Sequence, residues 1–362
     1  MLVQDRINQF LRILLYPFSI LYGVITWIRN RLYDKGILTE IEFDIPTIAV
    51  GNLSVGGTGK TPHVEYLISL LQEHFFVATL SRGYNRNTKG YLFAGEGVTA
   101  LTLGDEPMLF YTRFPDIAVS VGERRALALP QLLMDAPDTE VVLLDDAFQH
   151  RSVKPGLNIM ISEYQRLFTR DHIVPFGRLR ESRQGYRRAD CLIVSKCPKD
   201  MGVAEKEALT REIAPQPGQR LFFSAMRYGR CYDFLTGEPE HLLPHTGIVV
   251  ACGIADPRPL TDYLLTRTEE VKLLRFPDHH YFTGDDLEKM EDGLRQLRSD
   301  YKMIITTEKD AVRLRLLRDR IKAMRLPIYV LPMRVVFLFS EGEAFDRYVM
   351  DYVYDARAAQ YK

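Results

Sequence analysis

The chain has 362 residues, 46% of them hydrophobic and 26% charged, with 47 Lys and Arg against 47 Asp and Glu. At about 100–200 residues per domain this length holds two or three domains. The balance excludes a disordered chain, a collagen-like fibre and a polytopic membrane protein, and a formal net charge of zero argues against general nucleic-acid binding. The four cysteines, Cys191, Cys197, Cys231 and Cys252, form no paired CxxC metal pattern and are read as reduced, buried thiols.

Residues 10–28, FLRILLYPFSILYGVITWI, hold 14 apolar or aromatic residues in 19, with Arg12 as the only charge. Such a helix nearly matches a hydrocarbon core about 30 Å thick. Pro17 is expected to kink it, and Tyr16, Tyr22 and Trp27 favour the membrane interface. Arg6, Arg12, Arg29, Arg31 and Lys35 outweigh Asp5 and Asp34, which suits an anionic lipid surface. The segment reads as a membrane-docking helix, lying on the bilayer or anchoring in it; a buried hydrophobic helix is the competing reading.

PTIAVG at 46–51 predicts a buried parallel strand, and residues 63–75 predict a helix. Between them runs Asn52-Leu53-Ser54-Val55-Gly56-Gly57-Thr58-Gly59-Lys60-Thr61. Strand, glycine-rich loop and helix are the parts of a phosphate-binding loop: backbone N–H groups of residues 54–61 and the helix N-terminus take phosphate, Lys60 reaches the β- and γ-phosphates, and Thr61 is placed for Mg²⁺. Ser54 stands where the general pattern has glycine. The apolar run Val141–Leu144 ends in Asp145-Asp146, a carboxylate pair of the kind that holds Mg²⁺. After the strand-like Leu192–Val194, Ser195-Lys196-Cys197-Pro198 lacks the aspartate with which GTPases read guanine, which favours ATP.

Three polar constellations lie around these motifs. Ser81-Arg82-Gly83-Tyr84 follows an apolar run, placing Arg82 and Tyr84 at a strand end, where α/β sheets bind ligands. Gly104-Asp105-Glu106-Pro107 opens a predicted helix, with helix capping as the plain alternative for Asp105. Residues 166–190 carry seven arginines against three acids, either an anion-binding segment or a solvated basic face.

In the C-terminal half, strands are predicted at 247–252, 271–276 and 303–307 and helices at 259–267 and 284–297, with a turn at 233–237. Residues 310–326 predict one basic helix with an apolar stripe, facing a membrane, an anionic substrate or solvent.

The ordered set GNLSVGGTGKTP, SRGY, GDEP, VGERR, LLDDAFQHR, GRLRES, FPDHHYF and TTEKDAVRL closely resembles the tetraacyldisaccharide 4′-kinase family of lipid A biosynthesis, over roughly residues 10–335. The family carries serine at the position of Ser54. The resemblance implies an α/β fold of two α/β/α sandwich domains, the first a P-loop NTPase fold, behind the N-terminal docking helix. It implies ATP and Mg²⁺ as cofactors and transfer of the γ-phosphate to the 4′-hydroxyl of an acylated glucosamine disaccharide 1-phosphate. The location implied is the cytoplasmic face of the Gram-negative inner membrane. Catalysis is assigned to Asp105 as base, His279 as its partner (His280 being the competing choice) and Lys60; metal binding to Thr61, Asp145, Asp146 and Glu181; and substrate or phosphate contacts to Arg82, Tyr84, Glu106, Arg124 and Arg180. The expected division is 1–36 for the docking helix, 37–228 for the P-loop domain, 229–246 for a β linker, 247–335 for the second domain, and 336–362 returning to the first. Without the resemblance, the same P-loop also fits an ATPase that switches a partner.

Overall fold

The protein is described from a computed structural model, which gives the backbone of residues 2–360 and side chains from residue 15 to residue 360. The side chains of Asp5, Arg6, Arg12 and the apolar residues 10–14 lie outside the described residues.

A long helix, α1 (Leu2–Asp34), leads into a first α/β unit. In chain order this contains β1 (Thr47–Gly51), α2 (Lys60–Leu71), β2 (Val77–Ser81), β3 (Leu92–Phe93), α3 (Ala100–Leu103), α4 (Asp105–Arg113), β4 (Ala118–Val121), α5 (Arg125–Asp135), β5 (Val141–Asp145), β6 (Leu157–Glu163), β7 (Cys191–Ser195), α6 (Val203–Ile213) and β8 (Arg220–Tyr228). A second unit follows, with β9 (Tyr232–Asp233), β10 (Thr246–Cys252), α7 (Arg258–Leu265), β11 (Glu270–Arg275), α8 (Gly284–Arg295), β12 (Tyr301–Thr307), α9 (Glu308–Leu314), α10 (Arg318–Met324) and β13 (Ile328–Leu331). The chain then returns through β14 (Met333–Phe337) and α11 (Gly342–Gln360).

The first sheet has nine strands in the order β14-β8-β7-β6-β1-β5-β2-β4-β3. Its inner pairings are parallel; β3 and β14 close the edges antiparallel. β1, β2, β5 and β7 are buried at every residue, as expected of parallel strands covered on both faces. Phe345, Val349 and Val353 of α11 share a core with Ile48, Leu67 and Leu143, so the end of the chain packs on this sheet. The second sheet, β11-β10-β12-β13-β9, is parallel except for β9.

Parallel strands send their C-terminal ends to one side of a sheet. In the first sheet those ends carry the glycine-rich loop, Ser81-Arg82, Glu123-Arg124, Asp145-Asp146 and Ser195-Lys196. In the second they carry Gly253, the FPDHHYF loop and α9. Gly51 matters at this edge: a Cβ there would stand 2.5 Å from the Cβ of Phe148, so glycine lets the turn after Asp145-Asp146 pack on β1.

Pro17 lies inside α1. One expectation needs correction. Residues 310–326 are not one basic helix: α9 ends at Leu314, a 3₁₀ turn spans Arg315–Leu317, and α10 begins at Arg318. Nor is Arg313 at a surface, since its side chain is 1% exposed. A buried guanidinium needs buried acceptors, and it has them in Asp105 and Asp310.

Candidate active site

The loop from Asn52 to Gly59 is braced on several sides. The Asn52 side chain donates to Thr58 Oγ1 (2.8 Å) and accepts from Lys60 Nζ (3.3 Å). Ser195 Oγ donates to the Thr58 carbonyl (2.6 Å), and Lys196 Nζ to that of Gly57 (2.5 Å). The Val55 N–H donates to the Arg178 carbonyl (2.8 Å), and Ser54 bridges to Leu179, which ties the loop to the GRLRES segment. His63 Nδ1 lies 2.7 Å from the Gly59 carbonyl and Nε2 2.9 Å from Ser224 Oγ. Burial pushes His63 down to about 4, so it is neutral, with its proton on Nδ1 toward the carbonyl. Val55, Gly56 and Gly57 stay exposed at the mouth of the loop.

Acids converge on Lys60 and Thr61. Lys60 Nζ is 3.3 Å from Asp146 Oδ1. Arg180 Nη1 donates to both Asp146 oxygens (3.1 and 3.0 Å) and to Gln149 Oε1 (3.2 Å). Burial opposes ionisation of Asp146, but Lys60 and Arg180 hold it at about 2. Asp145 is deeper; burial, then Glu106 and Asp146, push its carboxyl up to about 7. Its Oδ2 accepts from Ser81 Oγ (3.3 Å), and its carbonyl from the buried Arg125 (3.0 Å). Of the arginine pair in VGERR, Arg125 is thus built into the frame, and Arg124 is exposed. Thr61 Oγ1 donates to Glu106 Oε1 (3.3 Å).

The start of α4 joins the two sheets. Gly104 is its cap residue, so the carboxylate of Asp105 is not spent on capping. Asp105 is 4% exposed, and its Oδ2 lies 2.8 Å from His279 Nδ1 and 2.6 Å from Arg313 Nη1. The bond to Asp105 raises the pKa of His279, against the effect of burial. His280, the competing choice, bonds instead to Asp286 (2.8 Å). The next residue, Glu106, accepts from Lys309 Nζ (2.7 Å), and the charge of Lys309 lowers its pKa. Tyr84 stands over His279, with ring centroids 5.7 Å apart. Arg82 is exposed at the end of β2.

The structure therefore gathers Lys60, Thr61, Asp105, Glu106, Asp145, Asp146, Arg180 and His279 at facing strand ends. Glu181 borders this group: its carboxylate accepts from Arg188 (2.8 and 2.9 Å), Asn30 (2.6 Å) and Gln149 (3.1 Å), and Gln149 in turn joins it to Arg180 (3.2 Å). Sequence reasoning missed Lys309 and Arg313. Their i,i+4 spacing puts them on one helix face, but their partners are 203 and 208 residues away along the chain.

A model of the family described as tetraacyldisaccharide-1-P 4′-kinase matches residues 11–353. The tetraacyldisaccharide 4′-kinase of Bacteroides thetaiotaomicron is 42% identical over 354 residues, spanning 94% of this chain and 92% of that protein. That of Phocaeicola vulgatus is 43% identical, spanning 96% of each. A crystal structure of LpxK from Aquifex aeolicus in complex with ATP superposes with a TM-score of 0.74 at 30% identity, covering 95% of this chain and 100% of that one. The chain belongs to the tetraacyldisaccharide 4′-kinase family.

Proposed function

We propose that this protein transfers the γ-phosphoryl group of ATP to the 4′-hydroxyl of tetraacyldisaccharide 1-phosphate, at the cytoplasmic face of the Gram-negative inner membrane. The observation that carries this reading is the α4 start. Glu106 bonds to Thr61 at the glycine-rich loop, while the adjacent Asp105 holds His279 from the other sheet. A base is thus fixed one residue from the nucleotide loop. In this reading the acceptor O–H loses its proton to Asp105 as its oxygen bonds to the γ-phosphorus, and the bond to the β–γ bridging oxygen breaks to release ADP. Lys60 and the N–H groups of Gly56, Gly57, Gly59, Lys60 and Thr61 bind the phosphates, the N–H of Val55 being held by Arg178; Arg180 holds Asp146 in place, and Arg82, Tyr84 and Arg124 border the opening. We assign residues 37–228 with the returning 333–362 to the nucleotide unit and 232–331 to the unit that brings His279, because β9 pairs in the second sheet and β14 in the first.

The donor set fits Mg²⁺: Thr61 Oγ1 with Asp145 and Asp146 offers oxygen only, leaving positions for phosphate and water. When bound, the ion neutralises charge on the phosphates. Glu181 is assigned to the edge of the site, where it anchors Arg188 and Gln149.

Membrane docking is supported by how α1 sits. Its inward stripe is Ser19, Gly23, Thr26 and Asn30, and Asn30 donates to Glu181 (2.6 Å). Its apolar side chains point out: Phe18, Leu21, Ile25 and Trp27 are 53–61% exposed. Among the described residues no helix is long and apolar enough to cross a membrane. A cleft of about 670 Å³ between α1 and residues 171–184, lined by Tyr16, Ile20, Trp27, Ile173, Phe176 and Arg183, suits an acylated anion.

With Mg²⁺, labelled ATP and the acylated disaccharide 1-phosphate, label is expected in the lipid only when all are present. Hydrolysis of ATP with an unlabelled lipid would overturn the kinase reading. Burying one Leu or Ile side chain contributes about 1.5–3 kcal/mol. Leu21→Glu with Ile25→Glu is therefore expected to weaken sedimentation with anionic vesicles at least about tenfold, while turnover on detergent-dispersed lipid persists. Undiminished pelleting would show that α1 does not dock.

A further inference from the structure

A buried carboxylate that accepts a proton needs one oxygen held and the other free. Asp105 has that arrangement. Oδ2 takes both His279 and Arg313, whereas Oδ1 is buried and has no hydrogen-bond partner among the described residues. Arg313 is itself fixed: its Nη2 donates to the Gly253 carbonyl (3.1 Å) and pairs with Asp310. Asp310 accepts from Thr307 Oγ1 (2.7 Å) and from the Gly253 N–H (3.1 Å). The same Gly253 carbonyl accepts the backbone N–H of His279 (3.3 Å). One peptide at the end of β10 therefore sets both partners of Asp105. A side chain at that point would disturb both, since a Cβ on Gly253 would lie 2.7 Å from the Pro277 carbonyl and 3.3 Å from Asp310.

We propose that Arg313 is a positioning residue for phosphoryl transfer: seated on Gly253 and Asp310, it locks Asp105 Oδ2 so that Oδ1 takes the proton of the acceptor hydroxyl. This rests on the reading of Asp105 as the base. The step balances: the acceptor O–H bond breaks, its proton passes to Oδ1, and its oxygen bonds to the γ-phosphorus as the bridging oxygen leaves with ADP. A guanidinium beside a carboxylate weakens it as a base. That loss is tolerable where bond making lags bond breaking, because position counts for more than base strength in a loose transition state. The arrangement also makes the β10 and α9 ends part of the reacting geometry, so α9 acts on the base only when the two sheets are apposed as here.

The test is the split between kcat and KM for ATP in the full-length enzyme. The groups facing Asp105 are His279 from the loop after β11, Arg313 and Lys309 from α9, and the Tyr281 hydroxyl. Arg313→Met is expected to lower kcat at least about tenfold, with KM for ATP within about twofold, because it loosens the base and leaves the nucleotide loop intact. Arg313→Lys keeps the charge, yet its kcat stays low at the same KM for want of the second N–H. Wild-type kcat in Arg313→Met, or a KM for ATP that rises in step with the loss of kcat, overturns the proposal, because a merely structural loss disturbs nucleotide binding as well. Should Arg313→Met fail to fold, Arg313→Lys decides: wild-type kcat overturns the proposal. Asp105→Asn measured alongside separates the two readings. If it keeps wild-type turnover, the base assignment fails; if it is inactive while both Arg313 variants match wild type, only the role of Arg313 fails.

Discussion

Asp105→Asn is expected to lose about 10²–10⁴-fold in kcat, the usual worth of a positioned base, while its affinity for ATP changes little. The split follows from where the residue sits. Asp105 is 4% exposed and turned toward His279 and Arg313, while the adjacent Glu106 faces Thr61. Asparagine keeps the shape and can still accept from Arg313 through one oxygen, so the buried guanidinium is not stranded; Asp310 also continues to hold it. Alanine would confuse loss of the base with the cost of taking one of its two carboxylate partners from the buried Arg313. Transfer of label to the lipid gives kcat, and calorimetric titration with a non-hydrolysable ATP analogue gives affinity. Turnover within about threefold of wild type would remove Asp105 from the chemistry; lost nucleotide binding would instead make it part of the ATP site.

The parts of this site that were legible in the sequence are those whose chemistry stays within consecutive residues. The loop around Lys60 could be read because strand, glycines and helix follow one another, and Asp145-Asp146 because a carboxylate pair ends an apolar run. The contact between Asp105 and His279 spans 174 residues, and only the resemblance pointed to it. Residues 310–326 were misread for the same reason. A run of arginines looks like a solvated face until its acids are seen, and those of Arg313 include one 208 residues upstream. The apolar character of α1 was plain, but its orientation was not. Ser19, Gly23, Thr26 and Asn30 face the protein, because Ser19 accepts from the backbone N–H of Phe176 (3.1 Å) and Asn30 donates to Glu181.

Lys60→Ala is expected to fail in a different way, losing both turnover and nucleotide affinity. Nζ lies 3.3 Å from Asn52 Oδ1 and 3.3 Å from Asp146 Oδ1, at the mouth of the glycine-rich loop. In the role proposed for it, the ammonium meets the phosphates in the ground state and the spreading charge in the transition state. A single preorganised donor of this kind is worth about 10²–10³ in rate. Removal also takes away one of the two cations that hold Asp146 at about 2, so that carboxyl titrates higher and the acids Glu106, Asp145 and Asp146 repel one another with less compensation. Added Mg²⁺ therefore recovers little. Lys60→Arg is not a rescue, because a planar fork cannot take the place of a compact ammonium between an amide oxygen and a carboxylate. Steady-state transfer with the same calorimetric titration checks this. If Lys60→Ala keeps more than about a tenth of wild-type turnover, the lysine is not the phosphate clamp. If affinity holds and only kcat falls, its contact is made in the transition state alone, and the backbone N–H groups of the loop carry the binding of ATP.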